Sequence, residues 1–148
     1  MKVVVTGTRG IPDILGGVET HCEELFPRIA KKGIDVTIIR RKSYVHDSLR
    51  ECGDVKLVDI KTLKAILKAK ELRADIVHIH AIGPALLTPL ARLLGMKIVF
   101  THHGPDYNRD KWGKVARFML KMGERMGCMF ANEVIVISEV INDILVRK

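Results

Sequence analysis

The chain opens Lys2-Val3-Val4-Val5-Thr6-Gly7-Thr8-Arg9-Gly10, and after Ile11 to Leu15 continues Gly16-Gly17-Val18-Glu19-Thr20. Three β-branched residues in a row, without polar alternation, read as a strand covered on both faces. The glycines then punctuate a loop, and from Val18 the period changes. Val18, Cys22, Leu25, Phe26, Ile29 and Ala30 recur at helical spacing, and Gly33 is a plausible stop. Pro27 within that helix removes a backbone hydrogen bond, at about 3 kcal/mol unless packing compensates. A strand, a glycine-rich turn and a helix make one βα unit.

The same alternation runs through the rest of the chain. Five more strands are expected at Asp35 to Arg40, Val55 to Ile60, Asp75 to His80, Lys97 to Thr101 and Val134 to Ile137. Between them, Leu63, Ile66 and Leu67 mark a second helix carrying Lys61, Lys64 and Lys68 on its other face. Ala85 to Leu94 reads as a third, mostly buried helix. From about Arg109 to Phe130, Trp112, Val115, Ala116, Met119, Met126 and Phe130 form an apolar stripe, with Lys114, Arg117, Lys121 and Arg125 largely opposite. The expected architecture is α/β, a doubly wound Rossmann-like parallel sheet of about six strands flanked by helices. No composition shift or repeat divides residues 1–148, so one domain is expected. The chain stops inside a new helix after Ser138, and the fold is expected to continue past Lys148.

Composition narrows the function classes. With 148 residues, 47% apolar and 28% charged, the chain is an ordinary globular domain rather than a disordered one. Cys22, Cys52 and Cys128 have no metal-ligand spacing, and their odd number fits buried thiols in a reducing cytoplasm better than a disulfide framework. Val3 to Val5 is too short for a signal-peptide core. The apolar tract Ala81 to Gly95 is broken by Pro84, Pro89 and Arg92, short of the roughly 20 residues that span a bilayer. Twenty-five Lys and Arg against 17 Asp and Glu give a net charge of +8, a bias toward anionic partners.

In an open parallel sheet, ligands bind outside the carboxyl ends of the strands. That rule selects three loops. The first, Gly7 to Gly17, ends in paired glycines at a helix start, where backbone N–H groups and about half a positive charge from the helix dipole favour a diphosphate. A turn that simply needs positive φ is the plainer reading. The stretch matches neither G-x-G-x-x-G nor a phosphate-loop NTPase. The second loop follows Asp75-Ile-Val-His-Ile-His80 and carries Ala81, Ile82 and Gly83, with His78 and His80 on one strand face. The third is Thr101-His-His-Gly-Pro-Asp106. His80, His102 and His103 raise a metal site, a proton donor or a sugar contact as alternatives, although no H-E-x-x-H spacing accompanies them. His78 reads as a core histidine, whereas His103 favours a ligand contact. Asp106 to Lys111 is a polar cluster in which Asp106 or Asn108 could serve only to cap the long helix.

Taken in order, Gly7-Thr-Arg-Gly-Ile-Pro, Gly16-Gly-Val-Glu-Thr20, Asp75-Ile-Val-His-Ile-His80 and Thr101-His-His-Gly104 resemble the N-terminal domain of family 4, GT-B-fold glycosyltransferases. The run from Thr101 through Lys111-Trp112-Gly113 is similar to a bacterial, rhamnosyltransferase-like subgroup that builds surface polysaccharides. The resemblance covers essentially the whole chain. It implies an acceptor-side domain, with a C-terminal donor-binding domain absent here. That donor half carries two glutamates eight positions apart, a pairing this chain lacks. It further implies that Gly16 and Gly17 face the diphosphate of a nucleotide-sugar donor, and that His103 contacts the transferred sugar at the reacting centre. His80, Gly83, Asp106 and Arg109 would line the acceptor side, with weaker assignments for Arg9 and Glu19. Transfer from the nucleotide-sugar to a glycan or lipid-linked acceptor, with retention and no metal or other cofactor, is the implied activity. The isolated domain is expected to be nearly inactive. Location is expected in the cytoplasm, with the basic amphipathic helix and the Lys61 to Arg73 face free to meet anionic lipid at the inner membrane face.

Two other readings compete. An NADP-binding oxidoreductase or epimerase module would use Arg40 and Arg41 at the end of the second strand to meet a 2′-phosphate. A basic nucleic-acid-binding module is disfavoured because only seven Phe, Trp and Tyr residues are present and no recognition-helix motif occurs.

Overall fold

The computed structural model describes residues 1–61, 64–110 and 112–146, so Leu63 of the expected second helix and Lys111 of the polar cluster lie outside the described residues. Strands β1 (Lys2–Thr6), β2 (Asp35–Arg41), β3 (Glu51–Cys52), β4 (Val55–Ile60), β5 (Ile76–His80), β6 (Lys97–His102) and β7 (Glu133–Val136) form one sheet in the order β3-β4-β2-β1-β5-β6-β7. Every pairing is parallel except β3 with β4. The six parallel strands therefore follow the doubly wound Rossmann order, and the chain reverses direction of winding between β1 and β5. The seventh strand, β3, is a two-residue edge strand with no apolar run to announce it.

Period-two geometry splits the apolar residues of β1 between two cores. Val3 and Val5 join Cys22 and Phe26 of α1 (Gly17–Ala30) with Val36, Ile38 and Leu57 on one face. On the other, Val4 joins Val77, Ile79, Ile98 and Phe100, covered by Ile66 and Ala69 of α2 (Ala65–Glu71) and Ala91 of α3 (Thr88–Leu93). Phe26 is fully buried, and truncating it to Ala would cost about 3–5 kcal/mol. Cys22, Phe26 and Ala30, four residues apart, give α1 a single buried stripe. That burial carries the helix unbroken through Pro27.

Three expectations about the helices change. The third helix is a 3-10 turn, Pro84–Leu87, followed by the short α3, whose Leu90 and Leu93 are exposed rather than buried. The long helix α4 starts only at Lys114, runs to Phe130, and is N-capped by the Gly113 backbone with no side-chain cap. Asp106 and Asn108 instead form a separate 3-10 turn, so neither caps it. Most consequentially, the apolar stripe of α4 is not its packing face. Of that stripe, Val115 is 79% exposed and Met119 43%, while the buried positions are Gly123, Glu124 and Gly127. A Cβ at Gly123 would collide with the Ile82 carbonyl oxygen, and one at Gly127 with the Phe100 ring, so missing side chains let α4 lie close against the sheet. A last helix, α5 (Glu139–Val146), follows β7. Of the three cysteines, Cys22 is buried, where its pKa is pushed up to about 12 mainly by that burial; Cys52 and Cys128 are half-buried.

Candidate functional site

The crossover between β1 and β5 opens a crevice at the carboxyl ends of the strands, and the three loops singled out in the sequence meet there. Glu19, in the first turn of α1, organises the first loop. It is buried, accepts hydrogen bonds from the Arg9 backbone N–H at 2.9 Å and Thr8 Oγ1 at 3.2 Å, and pairs with Arg9 Nη2 at 3.0 Å. Burial opposes its charge, but the hydrogen bonds and charge of Arg9 outweigh burial and hold the carboxyl below its ordinary 4.5. Arg9 also donates to the Leu15 carbonyl at 2.7 Å and lies over the Tyr44 ring. Arg9 and Glu19 thus clasp the loop from within.

The two adjacent glycines differ in what they do. Gly16 sits at φ 154° as the N-cap of α1, and a Cβ there would strike Glu19 Oε2 and Arg9 Nη2. Gly17 has no positive φ, and a Cβ on it would meet nothing within 4 Å. The first is needed by the fold; the second keeps a helix N-terminus bare toward open space.

Behind this loop, four imidazoles gather between β5, the end of β6 and α1. His78 and His80 stack at 4.3 Å, and His21 meets the His103 ring edge-on at 5.2 Å. His78 Nε2 is 2.7 Å from Thr101 Oγ1, a satisfied core histidine as the sequence indicated. His80 Nδ1 and His103 Nε2 are 2.9 Å apart, and His80 is fully buried with Nε2 unpartnered among the described residues. An orphaned buried N–H is costlier than an orphaned lone pair, so the proton belongs on His80 Nδ1 and is donated to His103. His103 then carries its own proton on Nδ1, free for a ligand. Burial, followed by the neighbouring imidazoles, lowers the His78 and His103 pKa values from 6.5 to about 4, and that of His80 well below 6.5. All three rings are neutral at pH 7.

His102 turns to the opposite face. Its Nδ1 accepts the Gly104 N–H at 3.0 Å, which places its own proton on Nε2, donated to Glu124 Oε1 on α4 at 2.8 Å. Tyr107 Oη donates to the same carboxylate oxygen at 3.2 Å. The loop carrying His103 is therefore fastened from below by a buried His-Glu-Tyr group.

A cavity of about 660 Å³ is lined by Gly16, Gly17, Gly83, His103, Asp106 and Arg109, six of the seven residues expected at a site. Arg9, Glu19, His21, Arg41, Tyr44 and Trp112 also contribute to its wall. The seventh, His80, is displaced from the expected acceptor wall: fully buried, it lies behind the cavity-lining His103 and His21. Asp106 and Arg109 are partly spent on each other, with Arg109 Nε 3.1 Å from Asp106 Oδ1. His21 escaped the sequence reading, although its place one helical turn after Gly17 puts both on one face of α1. Glu124 escaped it too, since no local pattern links it to His102.

The geometry bears on the NADP-binding reading and on the metal alternative for the histidines. Arg40 is fully buried and bonded to Asp59 (2.6 Å), Asp47 (3.0 Å) and the Ile11 and Leu49 carbonyls, so it is not available to a 2′-phosphate. Among the described residues, no group of three or more His, Cys, Asp and Glu side chains is disposed to hold a metal ion, and His102 faces away from His80 and His103. Among those residues no helix is long and apolar enough to cross a membrane.

Compared with protein families, residues 15–148 match Glycosyltransferase Family 4. No individual curated protein matches the chain.

Proposed function

The chain belongs to Glycosyltransferase Family 4, and from that premise we propose that it is the acceptor-side domain of an enzyme moving a sugar from a nucleotide-sugar to a glycan or lipid-linked acceptor in surface-polysaccharide synthesis. The observation that carries this reading is one cavity uniting the bare N-terminus of α1 with the His103 ring. Glycosyl transfer breaks the bond from the anomeric carbon to a phosphate oxygen through an oxocarbenium-like state, so charge accumulates on the departing diphosphate. The Gly17 end of α1 offers backbone N–H groups and dipole to that charge. His103, neutral and held by His80, offers an Nδ1–H to a sugar hydroxyl. Retention of configuration, rhamnosyl specificity, independence from metal and a separate donor-binding domain belong to the same proposal.

His103→Ala in the full-length protein tests it. Turnover with nucleotide-sugar and acceptor is expected to fall by about a hundredfold or more, the scale of one lost transition-state donor, with the melting temperature preserved. Unchanged turnover would remove His103 from the reaction.

The same reading places the protein in the cytoplasm, touching the inner membrane face. Support comes from α4, whose exposed Val115, Phe118, Met119, Met129 and Phe130 adjoin the exposed Lys114, Arg117, Lys121 and Arg125. Such a helix suits the headgroup boundary of an anionic bilayer. The protein is expected to co-sediment with phosphatidylglycerol vesicles and not with phosphatidylcholine ones, and Phe118→Ser to reduce the bound fraction. Equal sedimentation with both lipids would contradict an electrostatic contact.

A further inference from the structure

A second cavity, of about 290 Å³, opens beside the first and shares Gly7, Arg41, Gly83 and Pro84 with it. Its remaining wall is largely apolar, built from Ile39, Ile60, Ala65, Ile66, Leu86 and Leu87 at the carboxyl ends of β2 and β4, the start of α2 and the end of the 3-10 turn Pro84–Leu87. An open apolar recess of this size, next to a polar cavity, is the form of a subsite for part of a larger ligand.

Arg41 stands at the junction of the two. Its neighbour Arg40 is consumed by Asp59 and Asp47. Strand alternation turns Arg41 to the other face, where its side chain has no hydrogen bond or ion pair with any described residue. A guanidinium beside an apolar recess selects a ligand with an anionic group attached directly to an apolar chain, since planar donors pair well with phosphate oxygens.

We propose that the smaller cavity is an apolar subsite taking the first segment of an alkyl or prenyl chain, with Arg41 on the phosphate that joins the chain to the acceptor sugar. This rests on the transferase reading and chooses, between a free glycan and a lipid-linked acceptor, the latter. The shared wall lets one molecule lie across both cavities, its sugar toward His103 and its chain against Ile60 and Ile66.

The test is isothermal titration of the full-length protein with geranyl phosphate, with geraniol and inorganic phosphate as controls. Geranyl phosphate is expected to bind, and each control to bind at least about tenfold more weakly, because neither satisfies both halves of the subsite. Arg41→Gln should bring geranyl phosphate down to the level of geraniol. Ala65→Leu, which fills the recess, should abolish binding of both chain-bearing probes. Should Ala65→Leu fail to fold, Arg41→Gln still decides, because it removes no side-chain hydrogen bond or ion pair among the described residues. Binding unchanged in Arg41→Gln, or no binding of geranyl phosphate, would overturn the subsite. The two readings fail separately: a protein that binds geranyl phosphate but transfers no sugar loses the transferase reading alone, and one that transfers sugar but ignores the probe loses only the subsite.

Discussion

Gly16 and Gly17 stand side by side in the sequence, yet their substitution should have opposite signatures. Gly16→Ala forces a Cβ into the Arg9–Glu19 clasp at a positive φ, so it should lower stability by about 1–3 kcal/mol and loosen the loop. Gly17→Ala meets no protein atom and removes a flexible residue from a helix, so thermal stability should hold or rise slightly. Any methyl there instead intrudes on the cavity, and the substrate KM should rise. A melting scan paired with steady-state kinetics separates the two, and a Gly17→Ala enzyme with unaltered kinetics would show that no ligand approaches that backbone. The sequence presented both as one glycine pair at a helix start. Only the placement of Glu19 and Arg9 tells them apart, and that placement depends on a contact across ten residues of loop.

Among the elements, α4 has the most to test. Its Glu124 carboxylate receives both His102 and Tyr107, so Glu124→Gln exchanges an ionic acceptor for a neutral amide oxygen that holds both donors more weakly, and buries an added NH2 beside them. The expected result is a loss of about 1–3 kcal/mol with reduced turnover, and Tyr107→Phe should show a smaller loss of each. Unchanged stability in a urea titration of Glu124→Gln would mean that the buried group does not hold the His103 loop. The strands were legible because runs such as Val3 to Val5 and Val36 to Ile39 leave no polar side to face water. β3 was not, since Glu51 and Cys52 carry no such run. α4 was legible as a helix, but its packing side was not, because periodicity reports where apolar residues cluster, whereas packing here follows where side chains are missing. Gly123 and Gly127 decide the docking, and a hydrophobicity pattern does not register them.

At the scale of the whole molecule, the imidazole group between sheet and α1 ties stability to pH. His78, His80 and His103 have folded pKa values below the ordinary 6.5, two of them about 4, so the unfolded chain takes up protons that the folded chain refuses. Stability is therefore fully present above pH 6.5 and falls as the pH drops from 6.5 toward 4, by up to about 1.4 kcal/mol per pH unit for each of the buried His78 and His80 rings and by less for the half-buried His103, which solvent screens. Urea midpoints at pH 7 and pH 5 measure this. A midpoint that does not fall would mean the native rings accept protons, contrary to their burial. The doubly wound parallel sheet followed from the sequence, and the rule that ligands bind at the carboxyl ends of its strands picked out the three loops that meet there; the strand order itself did not. The interior arrangement of the rings did not, because it depends on which residues of α1 and β6 turn toward β5.

The bond between His80 and His103 gives the molecule a built-in sensor. A hydroxyl arriving at one ring alters the proton its partner shares, so nitrogen resonances of a side chain that never meets solvent should move when something docks at the mouth. Occupancy can be followed from inside, without dye or tag.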